Sequence, residues 1–147
     1  MLHKSTARTH TQHVRTTIAT TLLAALTGLG CASAQAAGEL PRMHEEGALQ
    51  YSCGGIGVDE STAMRAAMKD YPLSLLFAAK DGDYLADISV VIKGGKEEMQ
   101  FKADGPVCLL KLPSGQYSVQ ATAKNGKSQS QQVNVGAKGS HTLDFRF

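Results

Sequence analysis

From Leu73 to the end of the chain, apolar residues recur at every second position, and this alternation constrains the fold more than any other feature. A side-chain period of two is typical of strands that bury one face. Turn sequences interrupt the alternation, including KDGD at 80–83, PSGQ at 113–116 and GAKG at 136–139. Short strands with a turn about every 8 to 12 residues predict an antiparallel β-sandwich of seven or eight strands.

One segment ahead of this pattern has the period of a helix instead. Its apolar side chains recur about every 3.6 residues, which predicts one short amphipathic helix over about 59–71. We expect Asp59 to cap this helix, because its carboxylate can accept the free amide hydrogens of the first turn. Pro72 ends it. The apolar stripe consists of Ala63, Met64, Ala67, Met68 and Tyr71.

Two cysteines lie in the strand pattern. Cys53 shares its phase with Leu49 and Tyr51, and Cys108 alternates in phase with Leu110, so both thiols are expected to face the core. If their strands are neighbours, the two cysteines can form a disulfide, which would close a loop of about 55 residues and contribute ~4 kcal/mol. Strand order is not readable from the sequence, and two buried free thiols are the alternative.

The first 34 residues have the pattern of a secretory signal. A basic stretch without acids precedes an uncharged apolar run at 16–30, and small residues follow it. We expect cleavage after Ala34, with Ala36 as the second choice, and therefore a periplasmic or secreted protein. A lipidated Cys31 is the alternative, but the Gly28-Leu29-Gly30 sequence before it departs from a lipoprotein signal.

Removal of this segment changes the charge balance. Of the 15 lysines and arginines, three lie in residues 1–34, which leaves 12 against 13 acids and changes the formal net charge from +2 to −1. The basic character therefore belongs to the targeting segment and does not indicate nucleic-acid binding. Residues 35–48 are polar and lack an apolar period, so we predict a flexible leader ahead of a sandwich domain at 49–147.

The sequence from 104 to 135 resembles the hairpin of transthyretin-like domains, also called carboxypeptidase regulatory-like domains. The residues that carry the resemblance are Leu112, Pro113, Gly115, Tyr117 and Val119. In this motif, proline and glycine set the turn, and the tyrosine buries its ring while its hydroxyl reaches a backbone partner. The resemblance implies a seven-stranded Greek-key sandwich that serves as an accessory, adhesive or ligand-binding module without peptidase activity. Residues 51–147 are also similar to small uncharacterised secreted proteins of proteobacteria.

No catalytic or cofactor motif stands out in the sequence. Gly54-Gly55-x-Gly57 lacks the Gly-Lys-Ser/Thr ending of a phosphate-binding loop, and the two acids at 59 and 60 would repel a phosphate. A thiol nucleophile would need a basic partner, and the predicted mature chain has only His44 and His141. We therefore predict a protein that is not an enzyme and has no cofactor.

The remaining function classes are binding and metal handling. We expect a module that binds another envelope or secreted protein through loops or an exposed sheet edge, with the segments at 93–98 and 124–127 as candidate contact regions. The alternative is a periplasmic copper-handling protein, because thioether and imidazole groups suit copper. Its candidate ligands are Met43, His44, Met64, Met68 and His141.

Overall fold

A computed structural model describes residues 38–95 and 97–147 of the chain. The predicted signal peptide, the cleavage positions Ala34 and Ala36, and the alternative lipid-bearing Cys31 lie outside these residues. Within the described part, no helix is both long enough and apolar enough to cross a bilayer. The elements follow the chain in the order β1 (His44–Glu46), β2 (Leu49–Gly54), α1 (Val58–Ala67), a 3-10 helix (Met68–Asp70), β3 (Leu73–Ala78), β4 (Ile88–Gly94), β5 (Glu97–Ala103), β6 (Val107–Lys111), β7 (Gly115–Thr122), β8 (Ser128–Val135) and β9 (His141–Arg146).

The strands form two sheets, which confirms the predicted β-sandwich. The first sheet has the order β1-β2-β6-β3-β9, and the second has the order β5-β4-β7-β8. Neighbouring strands are antiparallel except β3 and β9, which run parallel with Leu73 opposite His141. The described part therefore holds nine strands rather than the expected seven or eight, and one pair departs from the antiparallel expectation.

The core lies between the two sheets and consists of the residues that alternate in the sequence. Phe77 and Phe145 are fully buried, and their ring centroids lie 5.7 Å apart across the β3–β9 pair. Tyr51 of the first sheet stacks on Phe101 of the second at a centroid distance of 4.2 Å. Burial of each such side chain contributes about 1.5–3 kcal/mol, so these alternating positions hold the two sheets together.

The disulfide prediction is confirmed. β2 and β6 are antiparallel neighbours, and their register places Cys53 directly opposite Cys108. The two Cα atoms lie 4.1 Å apart, and the sulfurs are bonded. Both side chains face the core, with 6% of Cys53 and none of Cys108 exposed, as their phase in the sequence predicts. The bond therefore joins two neighbouring strands inside the first sheet.

The helix covers the outer face of the first sheet. Met64 of α1 packs on Val107 and Leu109 of β6, and the later part of the predicted stripe packs around them. β6 is thus buried on both faces, which explains its continuous apolar run. The expected cap is wrong, because α1 begins after Gly57, and Asp59 lies inside the first turn.

Part of the predicted flexible leader is a strand. Residues 44–46 of β1 pair with β2 through a tight turn in which Gly47 has a φ of 59°, a backbone conformation that suits glycine. Upstream of β1, the carbonyl of Pro41 accepts a hydrogen bond of 2.9 Å from the buried hydroxyl of Ser52. β1 has no buried side chain, so no apolar period marks it in the sequence.

The hairpin motif around Tyr117 is packed as the sequence predicts. The ring is buried, and its hydroxyl donates a hydrogen bond of 2.8 Å to the carbonyl of Pro113. The ring lies against the backbone of β4, where a Cβ on Gly94 would come within 2.4 Å of a ring carbon. Burial raises the pKa of the Tyr117 phenol. Tyr117 therefore joins the turn before β7 to the neighbouring strand.

Candidate functional site

The sandwich has two ends, and one of them carries the most exposed large apolar side chains. At this end lie the connection from β2 to α1 at 54–57, the β3–β4 connection at 79–87, the β5–β6 turn at 104–106 and the β7–β8 turn at 123–127. We call it the β2–α1 end. The β4–β5 connection at Gly95 and the turns at 112–114 and 136–140 lie at the opposite end.

The 54–57 loop is fixed by a carboxylate from the helix that follows it. Glu60 Oε2 accepts hydrogen bonds from the backbone N–H of Gly55 at 3.0 Å and of Ile56 at 3.2 Å. A glutamate in the first turn that reaches back to upstream amides resembles one half of a capping box. It also places a negative charge against the backbone amides that a phosphate would need.

Close backbone packing fixes the same loop from the other side. A Cβ on Gly105 would lie 2.2 Å from the carbonyl oxygen of Gly54. A Cβ on Gly54 would lie 2.7 Å from a ring carbon of Pro41. Gly55 has a φ of 89°, which side chains rarely adopt. The glycines therefore let three segments meet at a distance that larger residues would not allow.

Two apolar side chains project from this fixed loop into solvent. Ile56 is 75% exposed and Val58 is 81% exposed, on either side of the helix-capping Gly57. We call Ile56 and Val58 the apolar tip. Among the described side chains, the large apolar ones that are exposed are Leu40, Met43, Ile56, Val58 and Tyr84. The tip is the most exposed part of this set, and neither of its side chains contributes to the core.

An aromatic and a basic side chain extend the surface next to the tip. The guanidinium carbon of Arg65 lies 4.8 Å above the centroid of the Tyr84 ring, which is a cation–π geometry. Arg65 follows Val58 by two helical turns on the same face of α1, about 10.5 Å along the axis. Tyr84 is held beside β3 by a bridge to Ala78 and is 53% exposed. Apolar, aromatic and basic groups thus follow one another along this side.

The second sheet contributes an ion-pair cluster at the same end. Asp87 bonds Lys124 at 2.5 Å and Lys102 at 2.9 Å. Hydrogen bonds from Lys124 and then from Lys102 lower the pKa of Asp87 from 3.8 to about 2. Asp87 has a φ of 59°, a left-handed conformation that aspartate and asparagine tolerate better than most residues.

The two predicted contact loops are at opposite ends of the molecule. The 124–127 turn belongs to the β2–α1 end, where Lys124 is already paired with Asp87. The 93–98 turn lies at the other end, where Lys93 pairs with Glu98 at 3.1 Å. The structure therefore does not bring the two loops into one surface. Sequence reasoning missed the tip, although two apolar residues alternating with glycines outside any strand or helix period are a visible signal.

The two histidines among the candidate copper ligands are not brought together, whereas the candidate methionines lie in or beside one apolar cluster, where Met43 Sδ accepts a hydrogen bond of 3.9 Å from the hydroxyl of Tyr71. Met64 is completely buried against β6, and Met68 packs on the same apolar cluster. His44 stacks on Tyr51 at the β1 edge of the first sheet, whereas His141 starts β9 at the opposite edge. Four strand spacings separate the two histidines, about 19 Å. In the described part, no three His, Cys, Asp or Glu side chains are grouped to hold a metal ion.

Comparison of the chain with protein-family models, with curated proteins and with solved structures gives no match. The resemblance of the 112–119 motif to transthyretin-like domains therefore remains a prediction from the sequence.

Proposed function

We propose that the protein is an exported, non-catalytic β-sandwich module that binds another envelope or secreted protein through the apolar tip. The observation that carries this proposal is the exposure of Ile56 and Val58 on a loop that Glu60 holds in place. An exposed apolar group that packs against nothing in its own chain gains free energy when a partner covers it.

The construction of the loop supports a binding role. A loop whose amides are already bonded and whose glycines are closely packed loses little conformational entropy when it binds. Arg65 and Tyr84, next to the tip, belong to residue types that are enriched at protein interfaces. The surface is therefore suited to dock into an apolar pocket with a polar or acidic rim.

Two features support export. The N-terminal sequence has the pattern of a secretory signal. The Cys53–Cys108 disulfide is compatible with an oxidising compartment such as the periplasm or the cell exterior. The Greek-key topology and the transthyretin-like relationship are part of the same proposal, because accessory sandwich modules of that kind act by contact.

The test is site-specific photocrosslinking in cells that export the protein. A photoreactive phenylalanine analogue replaces Ile56 in one variant and the exposed Gln100, on the outer face of the second sheet, in a matched control. We expect a discrete crosslinked protein from position 56 that position 100 does not give. The same crosslinking pattern from both positions, or no crosslinked protein from position 56, would contradict the proposal.

A further inference from the structure

The two sheets have four edge strands in the described part, and an edge strand presents unpaired N–H and C=O groups to its surroundings. The edges are β1 and β9 in the first sheet and β5 and β8 in the second. Natural proteins protect such edges with short strands, charged side chains, prolines or a covering segment. An edge without any of these protections is available for pairing with another extended chain.

Three of the four edges are protected. β1 has only three residues, and two of them are glutamates. β5 carries Glu97, Glu98 and Lys102, and the Glu97 carboxylate lies over the turn at Gly47. On β9, side chains of β8 cover the edge. Gln131 donates to the carbonyl of Asp144 at 2.7 Å, and Gln129 donates to the carbonyl of Arg146.

β8 contacts β9 through the inward-facing side chains of Gln129 and Gln131, but its sequence has none of the protections that mark the other edges. Its eight residues, SQSQQVNV, contain no charge, proline or glycine. The N–H of Ala123 bonds the carbonyl of Lys127, so the antiparallel alternation directs the odd-numbered residues 129–135 toward β7. The backbone groups of Ser128, Ser130, Gln132 and Asn134 therefore point away from the sheet. They form a row of four N–H and four C=O groups about 20 Å long.

We infer that the β8 edge binds an extended peptide segment of another protein, which pairs as a fifth strand of the second sheet. Backbone hydrogen bonds to the four outward residues would supply the affinity, as in other cases of strand addition. The inference rests on the proposed function in treating the protein as a binding module. It concerns a surface separate from the apolar tip.

The charges at the two ends of β8 decide which occupant fits. Lys127 precedes the strand and Lys138 follows it, and neither forms a salt bridge with any described residue. A segment with acidic residues at both ends would place opposite charges next to both lysines. A second copy of this chain, paired symmetrically about Gln131, would bring the Lys127 end of one copy to the Lys138 end of the other. Like charges would then lie near each other at both ends of the pair, so the observations favour an acid-flanked segment over self-pairing.

The key variant is Ser130→Pro, with Ser130→Ala as its matched control. Proline removes the backbone N–H of residue 130, which points away from the sheet, and leaves the backbone hydrogen bonds between β8 and β7 in place. Edge strands tolerate proline at such a position. Ser130→Ala removes the same hydroxyl but keeps the N–H. Thermal unfolding checks that both variants fold. If Ser130→Pro does not fold, Gln132→Pro replaces it, with Gln132→Ala as its control, because Gln132 is also an outward residue of β8.

The probe is a phage-displayed library of random twelve-residue peptides, selected on the exported full-length protein. We expect enriched peptides with alternating apolar residues between acids. A synthetic peptide with an enriched sequence should shift the NMR amide resonances of residues 128, 130, 132 and 134 of the protein. Ser130→Pro should weaken binding at least tenfold, whereas Ser130→Ala should stay within twofold.

Several results would overturn the inference. These are a library without enriched peptides, equal binding to both Ser130 variants, or amide shifts centred on residues 56–58. A dimer in sedimentation that Ser130→Pro abolishes would assign the edge to a second copy instead. The variant Ile56→Ser/Val58→Ser separates the two proposals, because it should retain peptide binding at β8 even if crosslinking from position 56 fails.

Discussion

Removal of the Cys53–Cys108 disulfide should destabilise the fold by an amount that the structure defines. The bond joins residues 55 positions apart in sequence. In the chain-entropy model, a loop of this length contributes about 4 kcal/mol, because the unlinked unfolded chain has more conformations to lose. For a domain of about 110 residues this corresponds to a lowering of Tm by roughly 16 °C.

The assay is urea-induced unfolding of the wild type, of Cys53→Ala, and of the double variant Cys53→Ala/Cys108→Ala. Both sulfurs are buried, so the substitutions also remove packing atoms, and the single variant separates the two effects. If the covalent link dominates, the single and double variants lose similar stability, near 4 kcal/mol. A loss below about 1 kcal/mol, or two reactive thiols in denatured wild-type protein without reductant, would refute the reasoning.

Three further predictions concern individual side chains. Tyr117→Phe removes the hydrogen bond to Pro113 and leaves a carbonyl unpaired, so urea unfolding should show a loss of about 1 kcal/mol; an unchanged midpoint would contradict this. Because the pKa of Asp87 falls from 3.8 in its ordinary state to about 2 in the fold, its ion pairs stabilise the protein fully above pH 4 and lose that effect as the pH falls toward 2. Asp87→Asn should lack this acid-dependent loss, and parallel stability profiles for the two proteins between pH 5 and pH 2 would refute it. Glu60→Ala should speed hydrogen exchange at the amides of Gly55 and Ile56 at least tenfold, whereas unchanged exchange would show that the carboxylate does not hold the loop.

Much of the sandwich is predictable because apolar side chains recur at every second position in strands that bury one face. The inner residues of β3, β4 and β7 alternate without interruption, and the structure buries them as expected. The inward phase of Cys53 and Cys108 was predictable for the same reason. Their pairing was not, because side-chain periodicity carries no information on which strands are neighbours. The parallel direction of β9 beside β3 was hidden for the same physical reason.

Elements that depend on tertiary contacts were missed. β1 forms only because the turn at Gly47 brings it back onto β2, and its exposed side chains leave no pattern in the sequence. The predicted cap of α1, Asp59, lies two residues after the observed cap, Gly57. The Glu60 carboxylate instead accepts hydrogen bonds from the loop amides at 55 and 56, ahead of the helix. The preference of aspartate for the capping position is a local property of the sequence. It does not take into account the hydrogen bonds from the loop amides to Glu60.

The candidate site could be predicted only in part. The sequence indicated that the glycine-rich stretch is a bend leading into a helix, and the structure has that bend between β2 and α1. The sequence did not indicate that Ile56 and Val58 remain exposed there, since apolar residues outside a periodic segment are as easily buried by a neighbouring loop. The close contact of Gly54 with Gly105, which helps to hold this loop at the end of the sandwich, is a tertiary contact that the sequence pattern does not show.

Binding through the apolar tip is tested by the affinity of the crosslinked partner for the wild type and for Ile56→Ser/Val58→Ser. Ile56 and Val58 are 75% and 81% exposed in the free protein. Burial of both side chains by the partner should contribute about 3 kcal/mol to the binding free energy, which corresponds to roughly a 150-fold change in Kd. We expect the double variant to fold with wild-type stability and to bind the partner at least 100-fold more weakly, as measured by calorimetric titration. An affinity within threefold of the wild type would contradict the assignment of the apolar tip as the binding surface.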